Sequence, residues 1–209
     1  MVNVEAGDVI CLGRFPQSDD PSADAEPIEW IVLDTDRKKA MLISRYGLAA
    51  KTFDEMGGIV TWDNCTLRAW LNSSFYDSAF TDEERSHLET VDVPAEYSPY
   101  GSVDPGDDTQ DKVFLLSVDE SARYFSNDSA RICLPVKKAV KNGAWVRKEP
   151  GKGCGACRWW LRTPGALPNF AAIVDTDGSI DTDGVYVDLR SLTDQQFAVR
   201  PVVLLRLNG

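Results

Sequence analysis

The sequence predicts an α+β fold, with short helices packed on twisted, mainly antiparallel strands and a loop-rich C-terminal third. Three observations carry that expectation. Two apolar runs, Ile28 to Asp34 and Ala40 to Ser44, flank a charged, turn-rich DTDRKK, the pattern of a β-hairpin. Thr81 with Glu84, and Ser117 with Glu120, have the spacing at which a hydroxyl and a carboxylate satisfy each other's end amides and so start a helix. After Gly153 come RWWLR, AAIVD, SIDT, VYVDL and FAVRPVVLLRL, short β-like runs separated by Pro, Gly and Asp.

The remaining elements follow in order. Val9 to Arg14 reads as a strand, and the polar Ser18 to Glu26, with Pro21, as a loop. In TWDNCTLRAWL, Leu67, Trp70 and Leu71 fall at i, i+3 and i+4, which predicts a helix with Thr61 as its N-cap. Tyr97 to Asp111 has prolines, glycines and acids without an apolar period, so it reads as a long loop. Pro135 to Lys141 predicts a short helix that stops at Gly143. Asp177-Gly178 and Asp183-Gly184 are hairpin-type turn signals. No linker composition interrupts the chain, so one domain over residues 1–209 is expected.

Composition narrows the partners. The 209 residues are 43% hydrophobic, enough for a real core. The formal net charge of -11 lacks the basic footprint of a nucleic-acid binder and would be repelled by an anionic membrane. No run approaches the roughly 18 apolar residues of a membrane span. Met1 to Ile10 has neither the basic nor the apolar region of a signal peptide. A complete chain would therefore be cytoplasmic, and a fragment of a longer exported one would lie at the cell surface. Five cysteines, an odd number, argue against a complete disulfide framework, and Cys65 and Cys133 read as core residues.

Chemistry-bearing residues are few. His87, the only histidine, lies in a short charged segment with no nucleophile near it in sequence, the setting of a solvated helix-face residue. Cys154 and Cys157 form a C-x-x-C, the spacing of a zinc or redox pair, but no second pair completes a four-ligand shell. Two thiols on a glycine-rich loop is the plainer reading. Asp175, Asp177, Asp181 and Asp183 alternate with glycines as in calcium loops, yet Tyr186 stands where an EF-hand needs glutamate. The same acids fit the wet face of a hairpin. No glycine-rich nucleotide loop occurs. Strand alternation would put Trp159 and Leu161 on one face, Trp160 and Arg162 on the other.

Several spaced motifs are familiar. They are GRFPQ at Gly13 to Gln17, PIEWIVL at Pro27 to Leu33, WDNCTLRAWLN at Trp62 to Asn72 and KVFLLS at Lys112 to Ser117. WWLRTPG at Trp159 to Gly165 and AVRP at Ala198 to Pro201 follow. This succession resembles a bacterial family, domain of unknown function 6273, in which the usual WWLRSPG has serine where Thr163 stands here. The C-terminal layout is also similar, more distantly, to the C-type-lectin-like fold. The relevant branch is the one shared by formylglycine-generating enzymes and the variable proteins of diversity-generating retroelements. That second resemblance implies a mixed α+β body presenting an irregular binding surface near its C-terminus. The enzymes of that branch use a late cysteine pair. Cys154 and Cys157 precede WWLR and match no such motif, so their activity is not carried over. Calcium-dependent lectins use Glu-Pro-Asn or Gln-Pro-Asp triplets, and neither occurs here.

These readings combine into one expectation: a non-enzymatic binding module for a protein or carbohydrate ligand, without nucleic-acid or membrane partners. Its expected contacts are Trp160, Arg162, Asp175, Asp177, Asp181, Asp183, Tyr186 and Arg190, outward residues alternating with Ile173, Ile180, Val185 and Val187 on a core face. No catalytic residue, metal ligand or cofactor is assigned, calcium on the acidic hairpin being the one open cofactor. The alternative is an enzyme, a hydrolase or a thiol- or metal-dependent oxidase, which needs His87, Cys154 and Cys157 in one cleft. A purely structural module is the third reading. Arg200, between Val199 and Pro201 in an apolar run, is expected to be buried and paired with a carboxylate.

Overall fold

A computed structural model describes residues 4–36, 38–101, 103–188 and 196–207. Strands β1 (Val9–Phe15), β2 (Glu26–Thr35) and β3 (Lys39–Ser44) form a continuous antiparallel meander. On β2, Ile28, Trp30 and Val32 alternate into the core, and the Trp30 indole N–H donates to the Leu12 carbonyl at 2.8 Å. The β2–β3 turn is closed by Asp36, whose carboxylate accepts the main-chain N–H groups of Lys38 and Lys39 at 2.7 and 2.8 Å.

Strand β4 (Ala49–Lys51) leads to the helical region. The single helix expected in TWDNCTLRAWL is instead broken. Trp62–Asn64 is a 3-10 turn, α1 (Thr66–Trp70) follows it, Leu71–Phe75 is a π turn, and α2 (Tyr76–Ala79) continues the axis. The break falls at Cys65, which is extended and caps α1 by accepting the Arg68 N–H on its sulfur. Thr61 therefore starts the 3-10 turn rather than the α-helix.

Helix α3 (Asp82–His87) and strands β5 (Leu88–Glu89), β6 (Val91–Val93) and β7 (Thr109–Asp111) come next. Helices α4 (Val118–Tyr124), α5 (Asp128–Arg131) and α6 (Lys137–Lys141) follow. Both capping boxes form: Thr81 with Glu84 on α3, and Ser117 with Glu120 on α4. The last strands are β8 (Trp159–Pro164), β9 (Phe170–Val174), β10 (Ile180–Tyr186), β11 (Phe197–Val199) and β12 (Val202–Arg206).

The strands assemble into two five-stranded sheets, β1-β2-β3-β12-β5 and β10-β9-β8-β11-β4, and a small β6-β7 ribbon. Among the described residues, every ladder between these strands is antiparallel except β8 with β11. The architecture is thus α+β, with short helices on mainly antiparallel sheets and a C-terminal third of strands and loops. One apolar core draws residues from both sheets. Among the described residues, no helix is long and apolar enough to cross a membrane.

Two expectations need correction here. Strand β8 is buried along its whole length, so neither of its faces points outward. The reason is its place, central between β9 and β11, with aromatic layers on both sides. Trp159 packs on Phe125, and Trp160 packs between Phe53 and Phe197. A period of two identifies two faces and says nothing about whether either is wet. Arg200 is buried as expected, at 1% exposure, but no carboxylate pairs with it among the described residues. Its Nε donates to the Ser44 carbonyl at 2.8 Å, and its guanidinium lies over the rings of Phe125 (5.2 Å) and Trp159 (5.1 Å). The chain crosses from the second sheet to the first at this residue, between β11 and β12.

Candidate functional site

The expected contact residues separate into three groups. Trp160 and Arg162 are interior, a correction to their expected outward position. Trp160 is 0% exposed and its indole N–H donates to the Lys51 carbonyl at 2.9 Å. Arg162 donates to the Leu115 carbonyl at 2.9 Å and ion-pairs with Glu120 and, at 3.5 Å, Glu96. Glu120 thus caps α4 and anchors Arg162 with one carboxylate. Arg162 ties β8 to α4, and Trp160 ties β8 to β4 within the second sheet. Arg190 lies outside the described residues.

The second group sits at the β9–β10 turn. Asp175 forms a bidentate pair with Arg158, both contacts at 3.1 Å. Partial burial works against ionisation of Asp175, but the Arg158 hydrogen bonds and charge together with the Thr176 N–H and hydroxyl outweigh it and hold its carboxyl below the usual aspartate value. Asp177 accepts from the Ser179 hydroxyl and N–H at 2.6 and 3.0 Å, which lowers its carboxyl likewise. Arg158 also lies over the Trp145 ring at 4.6 Å. Around these residues Trp145, Arg147, Glu149, Arg158, Asp175 and Asp177 line a hollow of about 170 Å³. A second hollow of about 410 Å³ shares Trp145 and Glu149 with it and is walled by Val140, Ala144, Val146 and Lys148.

The third group runs along β10 from beside that turn to the opposite end of the hairpin. Asp181 accepts the Gly184 N–H at 3.1 Å and shapes the bulge in β10. The Asp183 carboxylate accepts the Tyr100 hydroxyl, and Tyr186 lies exposed on Phe170, ring centroids 4.9 Å apart. Three chain segments meet here. Val60 N–H bonds the Pro168 carbonyl, Phe53 and Asp54 N–H bond the Val187 carbonyl, and Ala166 N–H bonds the Asp183 carbonyl. Buried Asp54 accepts the N–H groups of Met56 and Gly57, at 2.9 and 2.8 Å, and so turns the loop outward. Met56 and Ile59 are left 81% and 79% exposed, beside exposed Leu167, Tyr100 and Tyr186. Gly106 holds the acidic loop against this end. It has positive φ, and a Cβ there would come within 2.1 Å of the Asp63 carboxylate.

The four hairpin acids therefore do not gather round one point. Each is committed to its own turn or partner, and no cluster of three or more His, Cys, Asp or Glu ligands forms among the described residues. Nor do His87 and the C-x-x-C cysteines form one group. His87 ends α3 beside the β5 edge of the first sheet. Cys154 is exposed on the glycine loop, whereas Cys157 is buried against Cys133 across an antiparallel bridge, its N–H on the Cys133 carbonyl at 2.9 Å. A hydrogen bond with Cys157 lowers the Cys133 thiol against the effect of burial, and Arg200 adds to the lowering; Cys157 is pushed up. Splitting the C-x-x-C between surface and core removes its chelating geometry. Protein purified without chelator is expected to carry no stoichiometric zinc by elemental analysis. One zinc per chain, lost in the Cys154→Ser/Cys157→Ser variant, would overturn this.

Sequence reading missed Met56, Ile59, Leu167 and Tyr100 at one end, and Trp145, Arg147 and Arg158 at the other. A signal for the first set exists. Segments 52–67, 90–111 and 163–188, which meet at that end, contain no lysine or arginine. A complementary signal marks the second: residues 137–158 hold seven bases and one acid.

The fold and these two open faces define an α+β protein with an acidic, apolar loop end and a tryptophan-centred groove lined by charges of both signs. Residues 37–207 match the family model described as Domain of unknown function (DUF6273), and the chain belongs to that family. The matched segment starts in the β2–β3 turn, so β1 and β2 lie outside it although β2 pairs along β3. No curated protein and no solved structure matches the chain.

Proposed function

We propose that the chain is a non-enzymatic binding module on a C-type-lectin-like scaffold, and that its loop end takes a basic polypeptide segment with an apolar anchor. The observation that carries this reading is the combination of exposed apolar side chains with one sign of charge. Met56, Ile59, Leu167, Tyr100 and Tyr186 stand clear of the core, with exposed Glu55, Asp183, Asp104 and Asp107 on the same three base-free segments. Scattered exposed apolar residues are ordinary, but a contiguous set rimmed by charge marks an interaction face. Acids around apolar anchors steer a partner carrying lysine or arginine and repel acidic ones. Tyrosine supplies contact area and a directed hydroxyl at small entropic cost. The continuous core beneath both sheets supports a single-domain organisation. The enzyme reading draws no support from the separate placement of His87, Cys154 and Cys157.

Peptide and glycan arrays probed with the purified protein test the reading. Basic peptides with an aromatic or aliphatic residue are expected to bind. Tyr186→Ala and Ile59→Ala are each expected to weaken the best binder at least about tenfold, with Glu83→Ala on α3 unchanged. Binding should weaken with added salt, because rim charges are screened within about 10 Å at 0.1 M. Equal affinity across the three variants would remove this face as the site. Capture of glycans alone would transfer the role to sugar recognition.

A further inference from the structure

Two thiols meet in the interior, where the C-x-x-C spacing does not point. Cys133 and Cys157 face each other across an antiparallel bridge. The Cys157 N–H donates to the Cys133 carbonyl at 2.9 Å, and the Cys157 thiol donates to the same oxygen at 3.4 Å. Facing residues of a hydrogen-bonded antiparallel pair have Cα atoms about 5.5 Å apart, within the range a disulfide spans.

The surroundings treat this pair differently from an ordinary buried cysteine. Burial pushes the Cys65 thiol up to about 12. Cys133, 1% exposed, is lowered instead, by its hydrogen bond with Cys157 and by the Arg200 charge. The Arg200 guanidinium is itself buried, and its Nη1 has no hydrogen-bond partner among the described residues. A cation with unused donor capacity in this interior favours a thiolate, the form that reacts. Leu134, next to Cys133 in the chain, is 48% exposed, and a Cβ on Gly155 would touch it at 3.7 Å. Surface chain thus lies one residue from Cys133, and exposed Cys154 lies three from Cys157. A local opening there admits a molecule the size of hydrogen peroxide.

We propose that Cys133 and Cys157 form a redox-active pair, which hydrogen peroxide closes to a disulfide. The Cys133 sulfur attacks one peroxide oxygen. An S–O bond forms, the O–O bond breaks, and the departing hydroxide takes up the Cys133 proton and leaves as water. The Cys157 sulfur then attacks the sulfenic sulfur. The S–S bond forms, the S–O bond breaks, and a second water leaves with the Cys157 proton. Two electrons pass from the thiols to the peroxide, and a dithiol reductant reverses the change. The bond ties residues 133–157, which carry α6 and Trp145, to the start of β8. It is a modification of the body of the fold and does not rest on the binding role of the loop end.

The test uses the whole chain, reduced and then freed of reductant, with hydrogen peroxide as the probe. After the peroxide is removed, remaining thiols are alkylated in denaturant, and the digest is analysed by mass spectrometry without reduction. A peptide pair joined through Cys133 and Cys157 is expected, and dithiothreitol should release it. Closing a loop of this length should raise the unfolding midpoint by on the order of 5–10 °C. Cys154→Ser is expected to keep both the bond and the rise, and Cys157→Ser to lose both. Should the latter fail to fold, the wild-type chain and Cys154→Ser still decide the matter. Cys133 and Cys157 both recovered alkylated, after peroxide has oxidised exposed Cys11 and Cys154, would overturn the proposal. So would a bond from Cys154 to either of them in its place, or a Cys133–Cys157 bond that lowers the midpoint.

Discussion

Replacing Asp111 with alanine is expected to lower the unfolding midpoint by on the order of 10 °C. The Asp111 side chain is 0% exposed and serves three donors. Arg68 Nε meets it at 2.7 Å, the Trp62 indole N–H at 2.9 Å and the Thr109 hydroxyl at 2.7 Å. Removing the carboxylate orphans all three, and breaking a buried pair from one side costs about 3–5 kcal/mol. Arg68 is 26% exposed and regains some water, which places the alanine variant toward the lower figure. Arg68→Ala should cost at least as much, since it leaves the fully buried carboxylate without its counter-charge. The double variant should cost less than the sum, the signature of a coupled pair. Thermal unfolding followed by tryptophan fluorescence measures all three. A midpoint for Asp111→Ala within a degree or two of wild type would contradict the network. Arg68 also donates to the Asp63 carbonyl at 3.0 Å, and Asp63 supports the Gly106 loop. The same substitution is therefore expected to disturb the loop end that lies above it.

Arg200 should behave differently from a paired arginine. Arg200→Ala is expected to cost about 3 kcal/mol, as a large-to-small change in a packed interior. Arg200→Met, which keeps most of the volume, should stay within about 1.5 kcal/mol of wild type. The physical reason is that no buried carboxylate among the described residues is left behind. Among the described residues the guanidinium sits between two aromatic rings with the Ser44 carbonyl accepting from its Nε, and its Nη1 has no hydrogen-bond partner. What the methionine variant loses is the positive charge near Cys133. Its thiol should then ionise at higher pH, visible as a shift in thiolate ultraviolet absorbance. An Arg200→Met variant as unstable as Arg200→Ala would mean that the charge itself holds the two sheets together.

The legible parts of this fold are local. The β2–β3 hairpin and both capping boxes form where expected, because alternation, turn residues and a three-residue spacing act within a few positions. Burial of β8 was illegible because it depends on β9 and β11, whose flanking layers come from Phe53, Phe125 and Phe197, distant in sequence. The Cys133–Cys157 contact is likewise a matter of topology, whereas C-x-x-C spacing points to the wrong partner. Of the candidate contacts, Asp183 and Tyr186 are on the exposed loop end, and Asp175 and Asp177 line the groove. Their neighbours, exposed Ile59 and half-buried Trp145, escaped because an isolated apolar residue in a loop has no period to betray it. Charge bias over whole segments carried that information instead.

Strand β12 occupies an interior place in the first sheet, with Val202 against Ile43 and Leu205 against Leu88. A ribosome delivers β3 long before its partner. Until the residues beyond 201 emerge, the β2–β3 hairpin must wait with one unpaired edge, the condition under which nascent strands pair with strangers. Closing a contact over nearly the whole chain also makes the final step slow, since the entropy of the loop is surrendered before the ladder rewards it. Synthesis stopped short of that point yields no smaller native sheet, only an open one.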